Sequence, residues 1–217
     1  MNVLIVYAHP EPASMNGALK DCAVETLEAD GHHVEVSDLH AMKFEAVATA
    51  DDFQVVQNES FFKYQVEQAK THTNQTGYCA EIEAEHRKLD KADLLVFQFP
   101  LWWFSVPAIL KGWVDRVFAA GYCYGGGKIF ETGGFAGKKA MLSLTTGGLP
   151  DRFTKDALYG DIHDIVRHIE YGMLAFTGFT VLPPFVVHGP AKIGQDERER
   201  HLRAYAAQLR AIGANHS

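Results

Sequence analysis

The sequence contains few cysteines, and their spacing does not suggest a structural role. There are three in 217 residues, Cys22, Cys79 and Cys123, which is an odd number without a C-x-x-C spacing. No cleavable leader precedes the first apolar run at residues 3–7. These absences argue against a disulfide framework and predict a protein of the reducing cytoplasm.

Basic residues are fewer than acidic ones, and long hydrophobic runs are missing. The 20 Lys and Arg residues against 27 Asp and Glu residues give a formal net charge of −7, which disfavours nonspecific binding to nucleic acid. Two uncharged stretches, residues 94–110 and 171–188, are each interrupted by prolines. Because a spanning helix needs about 20 apolar residues in succession, we expect no membrane span.

Several nucleotide-binding and catalytic motifs are also absent. The sequence contains neither G-x-G-x-x-G nor a P-loop, so it does not predict the usual binding sites for dinucleotides or nucleoside triphosphates. The sequence lacks G-x-S-x-G and H-E-x-x-H, and neither His32 with His33 nor His163 with His168 has a metal-ligand spacing. We therefore expect no metal site.

What the sequence does contain is a regular alternation of apolar strands and amphipathic helices. Strands are predicted at residues 3–7, 33–38, 94–99, 139–145 and 179–187, and helices at 17–30, 79–90, 107–119, 163–176 and 194–212. The second strand alternates in polarity and is expected nearer an edge. This pattern predicts an α/β fold, with a doubly wound five-stranded parallel sheet and helices on both faces.

One segment interrupts this alternation. Residues 41–76 are rich in Gln, Asn, Thr and aromatics, and connections of this length are usually functional or disordered. The aromatics argue against disorder, so we interpret the segment as an aromatic-rich insert with some helix. Because no repeat or linker is present, we predict a single domain over residues 1–217.

A doubly wound sheet binds its ligand beyond the carboxyl ends of the strands, where strand order reverses. The first loop there, residues 9–16, offers Ser14 and Asn16 at a helix start, where free amides and the helix dipole suit a phosphate. Either residue could instead simply cap the helix. The second loop carries three adjacent aromatics at residues 102–104, which could stack on a planar ligand or pack against a helix.

The third loop follows the fourth predicted strand. Thr145 and Thr146 provide hydroxyls, and Gly147 and Gly148 would let backbone amides approach a ligand edge. The same residues could form an ordinary turn at a strand end. Taken together, the three loops supply a phosphate anchor, an aromatic wall and a hydrogen-bonding edge, which are the parts of a flavin site.

Longer runs make the interpretation specific. The segments YAHPEPASMN, FQFPLWWFSVPAILKGWVDRVF, KKAMLSLTTGG and FTGFTVLPPF together span most of the chain. With them the chain resembles the NAD(P)H:quinone oxidoreductase family of flavoproteins, which are DT-diaphorase-like. The resemblance implies a flavodoxin-like fold, tightly bound FAD and a homodimer with sites at the interface. It also implies two-electron, ping-pong reduction of quinones, with hydride passing from NAD(P)H through flavin N5.

The resemblance also implies where the cofactor would bind. It assigns His9, Ser14, Met15 and Asn16 to the pyrophosphate, Pro100, Leu101, Trp102, Trp103 and Phe104 to the flavin ring, Thr145, Thr146, Gly147 and Gly148 to the pyrimidine edge, and Arg198 to the adenosine end.

Some positions depart from the family pattern. Where mammalian members carry a tyrosine and a histidine near the flavin, this chain has Phe153 and Tyr159. Phe153 is assigned to the cofactor and can stack but not donate, whereas Tyr159 can donate. We assign the catalytic role to Tyr159. Of two tyrosines that line the quinone cleft, Tyr124 is kept and the other is Gly126. The family's usual glutamine is Trp102.

Two other functions remain open. The chain could be an FMN-dependent azo- or nitroreductase, which shares the fold. It could also be a regulatory flavoprotein, since similar bacterial proteins are ancillary subunits of potassium efflux systems. The long aromatic insert favours the enzyme.

Overall fold

A parallel sheet of six strands forms the centre of the computed structural model, which describes residues 1–58 and 60–214. The strands are β1 (Asn2–Tyr7), β2 (His33–Asp38), β3 (Leu94–Pro100), β4 (Lys139–Thr146), β5 (Thr180–Val181) and β6 (Phe185–His188). Their order is β2-β1-β3-β4-β5, and β6 also pairs with β4. Residue 59 and residues 215–217 of the predicted domain lie outside the described residues.

Helices cover both faces of the sheet. They are α1 (Met15–Ala29), α2 (Tyr64–Asn74), α3 (Ala80–Lys91), α4 (Ala108–Val117), α5 (Ile162–Ile169) and α6 (Gln195–Ala214). Alternate side chains of a strand point to opposite faces, so Ile5 packs in a cluster with α1 and α6, and Val6 in one with α3, α4 and α5. This burial on both faces explains the continuous apolar runs of the inner strands. The doubly wound parallel sheet and the edge position of β2 are confirmed.

The last predicted strand and the helix before it are more broken than the sequence pattern indicated. Instead of one strand over residues 179–187, β5 and β6 are separated at Pro183 and Pro184, because proline has no N–H to donate to a neighbouring strand. The helix predicted at 163–176 ends at Ile169 and continues as a π turn (Glu170–Leu174) and a 3-10 turn (Ala175–Thr177).

The insert carries helix, as predicted, and packs against the main body through its aromatics. It contains a 3-10 turn (Ala50–Asp52) and α2. Phe53 is buried in a small cluster with Tyr78 and Ile82, and its ring centroid lies 5.3 Å from that of Tyr64. The insert therefore has its own apolar contacts with the start of α3.

A buried arginine fastens the insert to α4. The Arg116 side chain is only 3% exposed and donates from Nε and Nη2 to Asp52 Oδ1, at 3.0 and 2.7 Å. It also pairs with Glu81 and lies 4.9 Å from the centroid of the Phe44 ring. The Tyr64 hydroxyl donates to Asp52 Oδ2 at 2.6 Å. Burial and this hydrogen bond raise the pKa of Tyr64, so its hydroxyl stays protonated.

We expect Arg116→Leu to lower the free energy of unfolding by about 3 kcal/mol, because it leaves a buried carboxylate without its cation. Urea denaturation measures the change. Arg210→Leu is the matched control, since Arg210 forms an exposed pair with Asp30 and such pairs contribute less than about 1 kcal/mol. Equal losses in the two variants would show that the insert does not depend on Arg116.

Candidate active site

A buried hydrogen-bonded network joins three loops at the carboxyl edge of the sheet. Gln98 Nε2, on β3, donates to Asn16 Oδ1 at 2.9 Å, and Asn16 Nδ2 donates to Thr145 Oγ1 at 2.8 Å. All three side chains are buried. The Leu101 amide donates to the Thr145 carbonyl at 2.8 Å. The loops after β1, β3 and β4 therefore lie side by side where the strand order reverses.

The first loop folds back closely on the start of α1. Ser14 is the N-cap of this helix, and its Oγ accepts from the Gly17 amide at 3.2 Å. A Cβ atom at Gly17 would lie 1.8 Å from the Pro12 carbonyl oxygen, so only glycine fits there. His9 Nδ1 lies 3.0 Å from the Glu11 amide nitrogen. Ser14 thus has the capping role.

A cleft of about 470 Å³ lies beside this helix start. Five residues assigned to the cofactor from the sequence line it together with Arg198: they are His9, Ser14, Met15, Asn16 and Thr145. Arg198 Nε donates to the Pro190 carbonyl at 3.0 Å. A guanidinium and the N-terminus of a helix at one cleft favour an anionic ligand such as a phosphate.

The second loop holds its aromatics in a strained turn. Trp102 and Ser105 exchange two backbone hydrogen bonds, at 3.1 and 3.0 Å. Between them, Trp103 has a φ of 52° and Phe104 a φ of 57°, a left-handed pair that turns normally assign to glycine or asparagine. This backbone costs roughly 1–2 kcal/mol per residue. The Trp103 side chain is 97% exposed, so the strained turn holds an aromatic surface toward solvent.

The third loop is fixed by Thr146 and His188. The Thr146 hydroxyl donates to the Gly148 carbonyl at 2.9 Å. In its contact with His188 Nδ1, at 3.0 Å, the threonine oxygen is therefore the acceptor and the imidazole is the donor. Burial, with a smaller effect of His201, lowers the pKa of His188 and favours the neutral ring, whose hydrogen then lies on Nδ1. Among the described residues, no atom lies within 4 Å of a Cβ built on Gly147, which leaves space at this edge.

Phe153 and Tyr159 pack behind the third loop. Phe153 is buried between His188, at 5.0 Å between ring centroids, and Tyr159, at 5.2 Å. Tyr159 is exposed, and its ring lies 5.7 Å from that of Phe104. A Cβ at Gly148 would lie 2.8 Å from the Phe153 ring, so glycine is needed for this packing. Tyr159 therefore bridges the second and third loops, and Phe153 supports it from below.

A larger cleft of about 790 Å³ lies between α4, α5 and the insert. Tyr124 lines it, with its ring 5.7 Å from that of Phe176. Burial raises the pKa of Tyr124, which stays a neutral hydroxyl donor. Gly126 does not line this cleft: it has a φ of 61°, and no described atom lies within 4 Å of a Cβ built on it. The structure therefore brings Tyr124, but not Gly126, to the cleft.

Sequence reasoning missed several residues that shape the site. Gln98 is a lone polar residue in an apolar strand, and the sequence alone could therefore have identified it. Gly17 gave none, since its role depends on where Pro12 folds. Ser105 and His168 are 63 positions apart and yet are hydrogen-bonded. Contacts of this kind depend on tertiary structure alone.

Residues 1–58 and 60–214 contain no helix that combines the length and the apolar character of a membrane span. In the same part of the chain, no three His, Cys, Asp or Glu side chains are grouped so that they could hold a metal ion.

Comparison with known proteins places this geometry in a family. A family model described as flavodoxin-like fold matches residues 1–212. Ribosyldihydronicotinamide dehydrogenase (quinone) of Mus musculus is 44% identical over 97% of this chain and 91% of its own length. NAD(P)H dehydrogenase (quinone) 1 of Cavia porcellus is 40% identical, over 96% of this chain and 76% of its own.

Solved structures agree with these relatives. The crystal structure of a putative quinone reductase from Klebsiella pneumoniae superposes with a TM-score of 0.94 at 42% identity, covering 98% of this chain and 85% of that one. Identity at this level over nearly the whole chain, with a shared fold, confirms the resemblance found in the sequence. The chain belongs to the flavodoxin-like quinone reductases.

Proposed function

We propose that this quinone reductase uses FAD to pass hydride from NAD(P)H to a quinone or another small aromatic acceptor, in two alternating half-reactions. The observation that carries the proposal is the meeting of an anion-binding cleft, a strained aromatic turn and an open glycine edge at one end of the sheet. The names of the relatives support the nicotinamide donor and the quinone acceptor.

The residues at the first loop fit a dinucleotide flavin. The pyrophosphate would lie at the start of α1, against His9 and residues 14–16, where amides and the helix dipole stabilise negative charge. The cleft continues from there to Arg198 and Gln195 on α6. FMN carries a single phosphate and has no second half to fill this extension. The cleft therefore favours FAD over FMN.

The second and third loops fit the flavin ring. Pro100, Leu101 and the aromatics at 102–104 would lie against one side of it, and the amides of residues 146–148 along its pyrimidine edge. When bound, the flavin supplies a hydride acceptor and donor at N5. The chain itself orients the ring and stabilises negative charge that develops at N1 and O2.

Tyr159 is the hydroxyl that we place beside this ring. It lies beside Phe104 and is exposed, whereas Phe153 is buried and has no hydrogen to donate. We assign to Tyr159 a hydrogen bond to charge that forms during turnover. Tyr124 would contact the quinone, whereas Gly126 does not line the cleft.

We further propose a homodimer, a single domain over residues 1–217 and a cytoplasmic location. Exposed apolar side chains are numerous for a free surface and include Trp103, Phe61 and Val66. A second copy placed against the insert and the aromatic turn would cover them.

The three cysteines are unpaired, which suits a reducing compartment.

Purified protein is expected to release FAD on denaturation and, as the holoenzyme, to oxidise NADH, NADPH or dihydronicotinamide riboside in the presence of menadione. Chromatography identifies the flavin, and steady-state assays rank the three donors. Release of FMN would contradict the cofactor assignment and favour the azo- or nitroreductase. Bound flavin without quinone reduction would favour the regulatory flavoprotein, and a colourless protein that neither flavin reconstitutes would contradict the whole proposal.

Tyr159→Phe is expected to slow at least one half-reaction about tenfold, which corresponds to the loss of one hydrogen bond of about 1.4 kcal/mol. Stopped-flow absorbance follows flavin reduction and reoxidation separately. Tyr171→Phe is the control, because Tyr171 is exposed on the π turn and is not part of the proposed site. If Tyr159→Phe leaves both half-reactions unchanged, Tyr159 has no catalytic role.

A further inference from the structure

A serine and a histidine form a hydrogen-bonded pair next to the aromatic turn. Ser105 Oγ lies 2.9 Å from His168 Nε2, and His168 Nδ1 lies 2.9 Å from the Ile165 carbonyl oxygen. A carbonyl only accepts, so Nδ1 carries the hydrogen in the neutral ring. Nε2 is then an acceptor, and the Ser105 hydroxyl donates to it.

The pair can hold either protonation state of the imidazole. When His168 gains a proton, Nδ1–H still donates to Ile165, and Nε2–H can donate to Ser105 Oγ once the hydroxyl has rotated. The hydroxyl hydrogen then points away from the ring toward another acceptor. Both protonation states of the imidazole keep their hydrogen bonds while the heavy atoms stay in place, which is what a proton relay requires.

The position of the pair connects the two parts of the proposed site. Ser105 closes the turn that presents Trp103 and Phe104. His168 is exposed and lines the 790 Å³ cleft that also contains Tyr124. The pair therefore lies between the aromatic surface assigned to the flavin and the cleft assigned to the quinone.

Reduction of a quinone to a hydroquinone consumes one hydride, which carries both electrons, and one proton. We propose that Ser105 and His168 supply that proton, an inference that rests on the proposed function. Ser105 gives its hydroxyl proton to the negatively charged quinone oxygen. His168 replaces it from Nε2–H, passing from imidazolium to neutral imidazole, and water then reprotonates the ring.

His168 is the one imidazole among the described titratable groups that line this cleft. The insert contributes Lys63 and Tyr64, α4 contributes Lys111 and Asp115, and the loop after α4 contributes Tyr124. Lys111 and Asp115 form an ion pair at 2.6 Å. Burial raises the pKa of both Tyr64 and Tyr124, so these phenols hold their protons near neutral pH. Histidine is the side chain type that exchanges a proton between pH 5 and 8.

The test compares two electron acceptors in the reoxidation half-reaction. Chemically reduced holoenzyme is mixed with menadione, which takes up a proton, or with ferricyanide, which takes only electrons. Ser105→Ala and His168→Gln are expected to slow reoxidation by menadione about 100-fold, the lower end for positioned proton transfer, and to flatten its dependence on pH. Reoxidation by ferricyanide and reduction by the nicotinamide donor should stay unchanged.

The matched control is His163→Gln, since His163 is exposed on the same helix and does not line this cleft. In the flavin-free chain, Ser105→Ala should shift the NMR resonance of the His168 ring and leave that of His163 in place. An equal slowing with both acceptors would show a structural role and overturn the relay, as would normal rates with both. Wild-type holoenzyme that menadione fails to reoxidise would instead contradict the proposed function itself.

Discussion

The contact on which the site depends is the buried amide network of Gln98, Asn16 and Thr145. Each comes from a different segment, the end of β3, the start of α1 and the end of β4. Buried polar groups are costly unless they are paired, so the two hydrogen bonds fix the relative positions of the three segments. The loops that follow these segments are therefore held in the same relative positions. The proposed cofactor site is therefore set by the core of the sheet.

Around this network, strained backbone and close packing destabilise the fold locally, and fold stability alone does not explain them. Two consecutive aromatic residues, Trp103 and Phe104, have left-handed backbone and exposed side chains. Gly17 and Gly148 occupy places where a Cβ atom would collide with a carbonyl or a ring. Strain and close approach of this kind cluster at binding sites, because a ligand repays them when it binds. These four residues lie at the carboxyl edge of the sheet.

The sequence predicted the repeating parts of this structure and missed the contacts between distant residues. Apolar runs located β1, β3 and β4, because strands buried on both faces need apolar side chains throughout. The break at Pro183 and Pro184 could have been read from the missing N–H groups. The hydrogen bond from Ser105 to His168 could not, because it depends on how α5 packs beside the aromatic turn.

The most direct test of the central claim is the affinity of the flavin-free chain for FAD, measured by calorimetric titration. The claim is that the carboxyl edge, with its strained aromatic turn, binds the flavin. Trp103→Ala removes an exposed ring without a fold contact, and it should weaken binding about 10-fold or more, because stacking on one aromatic ring contributes 1–3 kcal/mol. Tyr171→Ala, at an exposed aromatic outside the proposed site, should leave the affinity unchanged. Equal affinity of wild type and Trp103→Ala would contradict the claim.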